Sequence, residues 1–340
     1  MNCRGKGSVV FLVLVAFASS GRGGYTPAPR TKVVSPGQTM PFGLHGTNVY
    51  VTRTILAGGT VADVTEFPWL AMLFYENKKF FTYNCAGSLV SNTFVLTAAH
   101  CVKGPEYDIA GPLKMVRLGE FDVLSEPDCM VSSRNKIICS PGKFDTIPRS
   151  IRVHPSYRVG DSNHRHDIAL IQLASSPPLS RFLRPINLPS GNSRQDRLST
   201  GSNLTVTGWS RTELFVQQMG VTASSSAKMK VDLPYVDLKV CGNTYRSQSM
   251  QLAAGQLCAG GRGGKNACGG HSGSPLMYVD NRKTVTLLGV VSYEVDECGI
   301  EGFPGIYTDV RYYLGWIRQN MAPPTRRPGQ NQAPFRPSSL

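Results

Sequence analysis

Three stretches hold residue types that could do chemistry together. Cys268-Gly269-Gly270-His271-Ser272-Gly273-Ser274-Pro275-Leu276 sets a Ser between glycines, with a Cys before it and a Pro after it. Glycine permits positive φ and lets a carbonyl come close to backbone N–H groups, so such a loop can lift one hydroxyl clear of the chain. By composition alone the same run also reads as an ordinary turn. Leu96-Thr97-Ala98-Ala99-His100-Cys101 places a His beside a Cys at the end of an apolar run, and His166-Asp167-Ile168-Ala169-Leu170-Ile171 places an Asp at the mouth of another. A Ser hydroxyl is a poor nucleophile until an imidazole takes its proton, and the imidazole needs a buried carboxylate to fix its tautomer. Ser, His and Asp at three strand ends therefore suit nucleophilic acyl transfer.

The elements that must position these groups read as short strands. Leu113 to Leu118, Leu204 to Thr207 and Met229 to Leu233 are alternating or β-branched runs punctuated by Gly, Pro and Asn. Period-2 alternation argues for antiparallel sheet with one buried face, and many short strands with few helices favour barrels or a sandwich. Near the end Tyr313, Trp316 and Ile317 recur at helical spacing before Pro323-Pro324. That spacing predicts a closing helix.

From about Leu56 to Met321 the chain resembles the chymotrypsin/trypsin family of serine proteases. Besides the three stretches above, Phe67-Pro68-Trp69, Gly208-Trp209 and Gly302-Phe303-Pro304-Gly305-Ile306-Tyr307-Thr308 carry the likeness. The resemblance implies an all-β fold of two six-stranded antiparallel barrels, with the C-terminal helix packed on the second. It implies Ser272 as nucleophile, His100 as general base and acid, Asp167 orienting His100, and Ser292 supporting Asp167. The backbone N–H groups of Gly270 and Ser272 would form an oxyanion hole. It also implies bridges Cys85–Cys101, Cys241–Cys258 and Cys268–Cys298, which leaves Cys129 and Cys139 to pair in a surface loop. Within the family the chain is similar to arthropod clip-type (easter-like) proteases and protease homologues. No Cys lies between residues 21 and 53, so their disulfide-knotted clip module is expected to be missing.

Several positions depart from the family pattern. His271 and Ser274 stand where the family has Asp and Gly. In the family a cut after a basic residue frees an apolar N-terminus whose ammonium pairs with that Asp. A His offers no fixed negative charge there, and a buried ammonium without a partner is costly. Counting back from Phe67-Pro68-Trp69 puts the new N-terminus at Leu56, after Ile55; the nearest basic residue is Arg53. In the specificity pocket Asn266 replaces the Asp of trypsin-like members and Glu294 replaces an entrance Gly, while Gly305 is kept. Asn266, Ser292, Glu294 and Gly305 are the expected substrate-binding positions.

Composition fixes the setting. The chain has 340 residues, 41% hydrophobic and 17% charged, with Lys+Arg 36 against Asp+Glu 22 and a formal net charge of +14. Such a charge attracts polyanions or anionic surfaces, but no basic–aromatic interleaving points to nucleic acid. Residues 1–20 read as a secretory signal peptide: Arg4 and Lys6 precede an apolar run, Val9 to Ala18, too short to span a bilayer. Of 9 Cys, losing Cys3 with the signal leaves 8, an even number suited to an oxidising compartment. Residues 21–54 read as a Gly/Pro-rich pro-segment or linker, 55–321 as the protease-like domain, and 322–340 as a basic disordered tail. Asn203-Leu204-Thr205 is a glycosylation sequon. His45, His154 and His164 read as surface or loop residues, and no metal spacing is found. Gly119-Glu120-Phe121-Asp122 resembles the start of the family's calcium loop, but a later acidic ligand is not found around Lys143, Asp145 being the nearest substitute. No cofactor is expected. The expectation is a secreted, monomeric serine endopeptidase, weak or unusually activated, that acts on a protein substrate or cascade pro-enzyme, with polyanion binding a further property. Its counterpart is a non-catalytic homologue that binds a protease or pro-enzyme.

Overall fold

The computed structural model describes residues 49–50, 59–77, 81–132, 135–191, 198–209, 226–262, 272–293 and 300–322. The predicted signal peptide, most of the pro-segment and the tail from 323 lie outside them. So do Asn266, Cys268, Gly270, His271, Glu294 and Cys298.

The strands are β1 (Val49–Tyr50), β2 (Thr60–Val61), β3 (Leu70–Glu76), β4 (Phe81–Ser91), β5 (Phe94–Thr97) and β6 (Leu113–Leu118). They continue as β7 (Cys129–Val131), β8 (Ile137–Cys139), β9 (Phe144–Thr146), β10 (Pro148–Val153), β11 (Ala169–Leu173) and β12 (Asn203–Gly208). The last are β13 (Met229–Val236), β14 (Gln256–Ala259), β15 (Pro275–Val279), β16 (Val285–Tyr293) and β17 (Gly305–Asp309). Among the described residues three α-helices accompany them: α1 (Pro105–Ala110), α2 (Leu238–Tyr245) and α3 (Leu314–Met321). None is long and apolar enough to cross a membrane.

Two seven-stranded sheets form the body. The second, in order β12-β15-β16-β17-β14-β13-β2, closes because β12 also pairs with β13, giving a six-stranded barrel with β2 appended. The first runs β10-β11-β5-β4-β3-β6-β9 and curves as a half-barrel. The fold is trypsin-like and mostly strand, as the sequence predicts, with one barrel closed by pairing and one not. A small sheet β1-β7-β8 stands apart, in which Val49–Tyr50 runs parallel to the first residues of β7.

Strand β3 shows how sequence becomes layer. Its residues from Leu70 to Tyr75 are all buried, so it lacks the alternation of a half-exposed strand. Ala71, Leu73 and Tyr75 point into the main core, while Leu70, Met72 and Phe74 pack with Ala86 and Trp209 on the other face. The main core is continuous across the molecule. It joins Leu96, Leu118, Leu170 and their neighbours in the first sheet to Met277, Leu287 and Val290 in the second, and to Tyr313 and Ile317 of the C-terminal segment. Helix α3 is therefore not packed on the second barrel alone. Tyr313 and Trp316 meet His154, just past β10 of the first sheet, and Arg152 of β10 donates to the Asn320 carbonyl.

Disulfides Cys85–Cys101, Cys129–Cys139 and Cys241–Cys258 are present among the described residues. Asn203 is exposed at the first residue of β12. Gly305 is buried at the start of β17, paired with Ala259 of β14.

Candidate active site

Register brings His100 and Asp167 together. The end of β5 pairs with the start of β11, Thr97 opposite Ala169, so the residues just past one strand and just before the other become neighbours. The turn after β5 is fixed by Val102 N–H donating to the Ala99 carbonyl at 3.0 Å. It is fixed further by the Cys85–Cys101 bridge to β4 and by the Tyr75 hydroxyl donating to the Cys101 carbonyl at 2.9 Å. Asp167 Oδ1 accepts the His100 backbone N–H at 2.9 Å, and its Oδ2 lies 2.7 Å from His100 Nδ1.

Ser292 completes this arrangement from the second barrel, its hydroxyl donating to Asp167 Oδ2 at 2.6 Å. Thr308 on β17 donates to the Asp167 carbonyl at 2.6 Å. Asp167 is 1% exposed, so a carboxylate there requires such partners. Burial pushes its pKa up, but the charge and hydrogen bonds of His100 and the Ser292 bond outweigh that and leave it below the ordinary value. Burial likewise pulls the His100 pKa down, yet the Asp167 charge and hydrogen bond raise it above the ordinary imidazole value, with help from Glu106. The carboxylate accepts at Nδ1–H, so the Nε2 lone pair is free to accept a proton.

Ser272 sits at the junction of the two sheets. Its carbonyl accepts from Ala86 N–H of β4 at 2.8 Å, while the next N–H, of Gly273, donates to Val291 of β16 at 3.0 Å. Val291 N–H in turn donates to the Ser274 carbonyl at 3.0 Å. Strand β16 thereby carries Ser292 toward Asp167 and steadies the backbone that carries Ser272. Gly273 has φ +78, and a Cβ on it would lie 2.3 Å from both the Ala86 carbonyl and Thr97 Oγ1, and 3.3 Å from Cys101 Sγ. Only glycine lets the Ser272 backbone press this closely against the His100–Cys101 corner.

The expected site residues Gly270, Asn266 and Glu294 lie outside the described residues, as do His271 and the Cys268–Cys298 pair. Ser274 is fully buried, and its hydroxyl has no hydrogen-bond partner among the described residues. Several supports are not apparent from sequence. Thr308 lies inside the Gly302–Thr308 motif, but nothing local tells that its hydroxyl reaches back to Asp167. His164, read as a loop residue, stacks on Tyr293 with centroids 4.3 Å apart.

Cys85, His100 and Cys101 cluster closely enough to suggest a metal site, but the two cysteines are bonded to each other and offer no thiolate. In the loop that resembles a calcium site Glu120, Glu126 and Asp145 are engaged by basic side chains. Asp145 takes Arg117 with both oxygens at 2.7 Å, Glu120 accepts from Arg117 at 3.2 Å, and Lys143 pairs with Glu126 at 2.6 Å. Positive charge is supplied there by side chains, a poor fit to a cation.

The comparisons agree with this architecture. The Trypsin family matches residues 56–317. CLIP domain-containing serine protease B8 of Anopheles gambiae is 39% identical over 94% of this chain and 79% of its own length. Phenoloxidase-activating factor 1 of Holotrichia diomphalia is 39% identical over 82% and 72%, and the spaetzle-processing enzyme of Drosophila melanogaster 33% over 92% and 78%. The chain belongs to the trypsin family of serine proteases.

Proposed function

We propose that this protein is a secreted serine endopeptidase that hydrolyses peptide bonds with Ser272, His100 and Asp167. The hydrogen-bonded run Ser292–Asp167–His100 beside the Ser272–Gly273 corner is the observation that carries this reading. His100 Nε2 takes the Ser272 proton as Oγ attacks the scissile carbonyl. Asp167 holds the imidazole tautomer and offsets the imidazolium charge. The tetrahedral oxyanion is held by the N–H groups of Ser272 and Gly270. His100 then gives its proton to the leaving amine, and water repeats the cycle in reverse on the acyl-enzyme. Losing one oxyanion donor costs roughly 3–4 kcal/mol of transition-state stabilisation, so the shape of this loop matters as much as the three side chains.

The substrate class is a protein or pro-enzyme of an extracellular cascade. Relatives named as a phenoloxidase-activating factor and a spaetzle-processing enzyme support this, together with a run of signal-peptide character at residues 1–20. Activity below that of an ordinary family member follows from His271 in place of Asp and from the lack of a basic residue just before Leu56. A second reading, a non-catalytic homologue that binds a protease or pro-enzyme, is favoured by the same positions, by Asn266 and Glu294, and by the Ser274 hydroxyl, which has no hydrogen-bond partner among the described residues.

Labelling of the purified secreted protein with a fluorophosphonate, before and after limited trypsin digestion, separates the two. Fluorophosphonates react with an activated Ser beside a formed oxyanion hole and ignore most pocket detail. Labelling that disappears in Ser272→Ala is the expected result. No labelling under either condition would leave the binding role.

A further inference from the structure

Four aromatic rings meet where the loop before Asp167 touches the C-terminal helix. His154, just past β10, stacks on His166 with ring centroids 5.2 Å apart and planes 8° from parallel. Tyr313 stands edge-on to both, at 5.1 Å from His154 and 5.9 Å from His166, and its hydroxyl lies 2.9 Å from His166 Nδ1. Trp316 is tilted against His154 at 5.2 Å. His154 Nδ1 accepts the Ser156 N–H at 3.2 Å, so that nitrogen carries no proton in this arrangement. His166 has φ +58, a region seldom used by residues with a Cβ, and its carbonyl accepts from Ile168 N–H across Asp167.

The charges around the rings are spoken for. From the loop between β10 and β11 come Arg158, Asp161 and Arg165, the last two paired with each other at 2.9 Å. Arg152 of β10 is turned to the Asn320 carbonyl. At the far end of β17, Asp309 pairs with Arg311 at 2.7 Å, and Tyr312 stands edge-on to Tyr313. Asp167 is committed to His100 and Ser292. Among the described residues neither imidazole has a carboxylate partner within salt-bridge distance.

We propose that this cluster is an acid-released latch: protonation of the stacked imidazoles loosens α3 from the loop that carries Asp167. A proton on His154 Nδ1 would confront the Ser156 N–H that now donates to it. Two protonated rings would face each other across the stack with Arg158 and Arg165 nearby, and like charges at this range repel. Burial, and then the neighbouring His166, hold His154 below the ordinary imidazole value. Burial and Arg165, only partly offset by Asp161, do the same for His166. Both rings are therefore neutral in the folded protein where the unfolded chain already binds protons. Their contribution is intact above about pH 6.5 and is lost as the pH falls below it.

The test uses the full chain and needs no substrate, so its outcome is separate from that of the proposed peptidase activity. Trp69 and Trp209 are buried elsewhere, which leaves Trp316 as the described indole in contact with an imidazole. Protonated imidazole quenches indole emission. The emission difference between the parent and Trp316→Phe should fall reversibly on acidification, with a midpoint below about pH 6.5, and His154→Phe should abolish the fall. The melting temperature should also drop between about pH 7.5 and about pH 5.5, less steeply in His154→Phe and His166→Phe than in the parent, by about 2–4 °C. Equal pH dependence of melting in parent and variants overturns the latch. Should the variants fail to fold, a parent chain whose total indole emission does not change over this range overturns it equally.

Discussion

Gly273 is the residue on which the Ser loop turns, and it is fixed from two sides. Its φ of +78 disfavours any side chain, and the space its Cβ would need is taken by the Ala86 carbonyl and Thr97 Oγ1. Backbone cannot give way as a flexible side chain can, so Gly273→Ala is expected to cost about 2–5 kcal/mol of stability, read as a lower denaturation midpoint. Ser274 points the other way. Its buried hydroxyl is unsatisfied among the described residues, and such a group costs about 1–3 kcal/mol. Ser274→Ala should therefore melt higher than the parent; a lower melting temperature would mean that the hydroxyl has a partner. His100 sets the pH profile of the proposed reaction. Its pKa is raised above the ordinary imidazole value, and the base must be neutral, so kcat/KM should fall on acidification with a midpoint above about pH 6.5. Asp167→Asn should lower kcat by on the order of 10⁴-fold, because the amide no longer holds the imidazole in the tautomer whose Nε2 can accept a proton. The three central residues are legible in sequence because each lies in a contiguous motif. Thr308 and the stacked pair His154 and His166 are not, because their partners are set by register and packing between segments far apart in the chain.

At the scale of elements, alternation reveals some strands and conceals others. Strands β6, β12 and β13 show it and are recognisable. Strand β3 is covered on both faces, so its apolar run carries no sign of which residues face which core. The helix before Pro323 is apparent from Tyr313, Trp316 and Ile317, yet its docking partner is not, since the rings that receive it belong to loops. The segment from β6 to β8 carries a further consequence. Glu120 is pushed up to about 7, first by burial and then by the charge of Asp128, against the pull of Lys143 and Arg117. Asp128 is itself held in place by the N–H of Phe121 and the hydroxyl of Ser125, at 2.9 and 2.6 Å. A carboxyl raised on folding stabilises when protonated, so its contribution is present below about pH 4.5 and declines as the pH rises toward about 7. Melting of Glu120→Gln across that range should lack this decline. A decline as steep as the parent's would place the titrating proton elsewhere.

For the molecule as a whole, the main core runs through both sheets and the C-terminal segment without a break. Two barrels joined this way should unfold together. Scanning calorimetry is expected to give one transition with a calorimetric enthalpy equal to the van't Hoff value, and two resolved transitions would contradict a shared core. The sequence motifs imply the pair of barrels, but pairing closes only the second, a fact of register that no motif records. The N-terminal stretch of the domain is anchored to that closed barrel. Strand β2 pairs with β13, Ala62 N–H donates to the Lys228 carbonyl, Lys228 Nζ reaches the Glu66 carbonyl at 2.6 Å, and Lys230 holds the Glu66 carboxylate at 2.6 and 2.7 Å. Any ammonium created by a cut upstream is therefore a ligand on a short leash. Cut after Arg53, the chain ahead of Gly59 spans at most about 17 Å; cut after Ile55, about 10 Å. The longer leash sweeps a larger volume and lowers the effective concentration of the ammonium at any one pocket, so the place of the cut itself tunes how strongly the new terminus can engage.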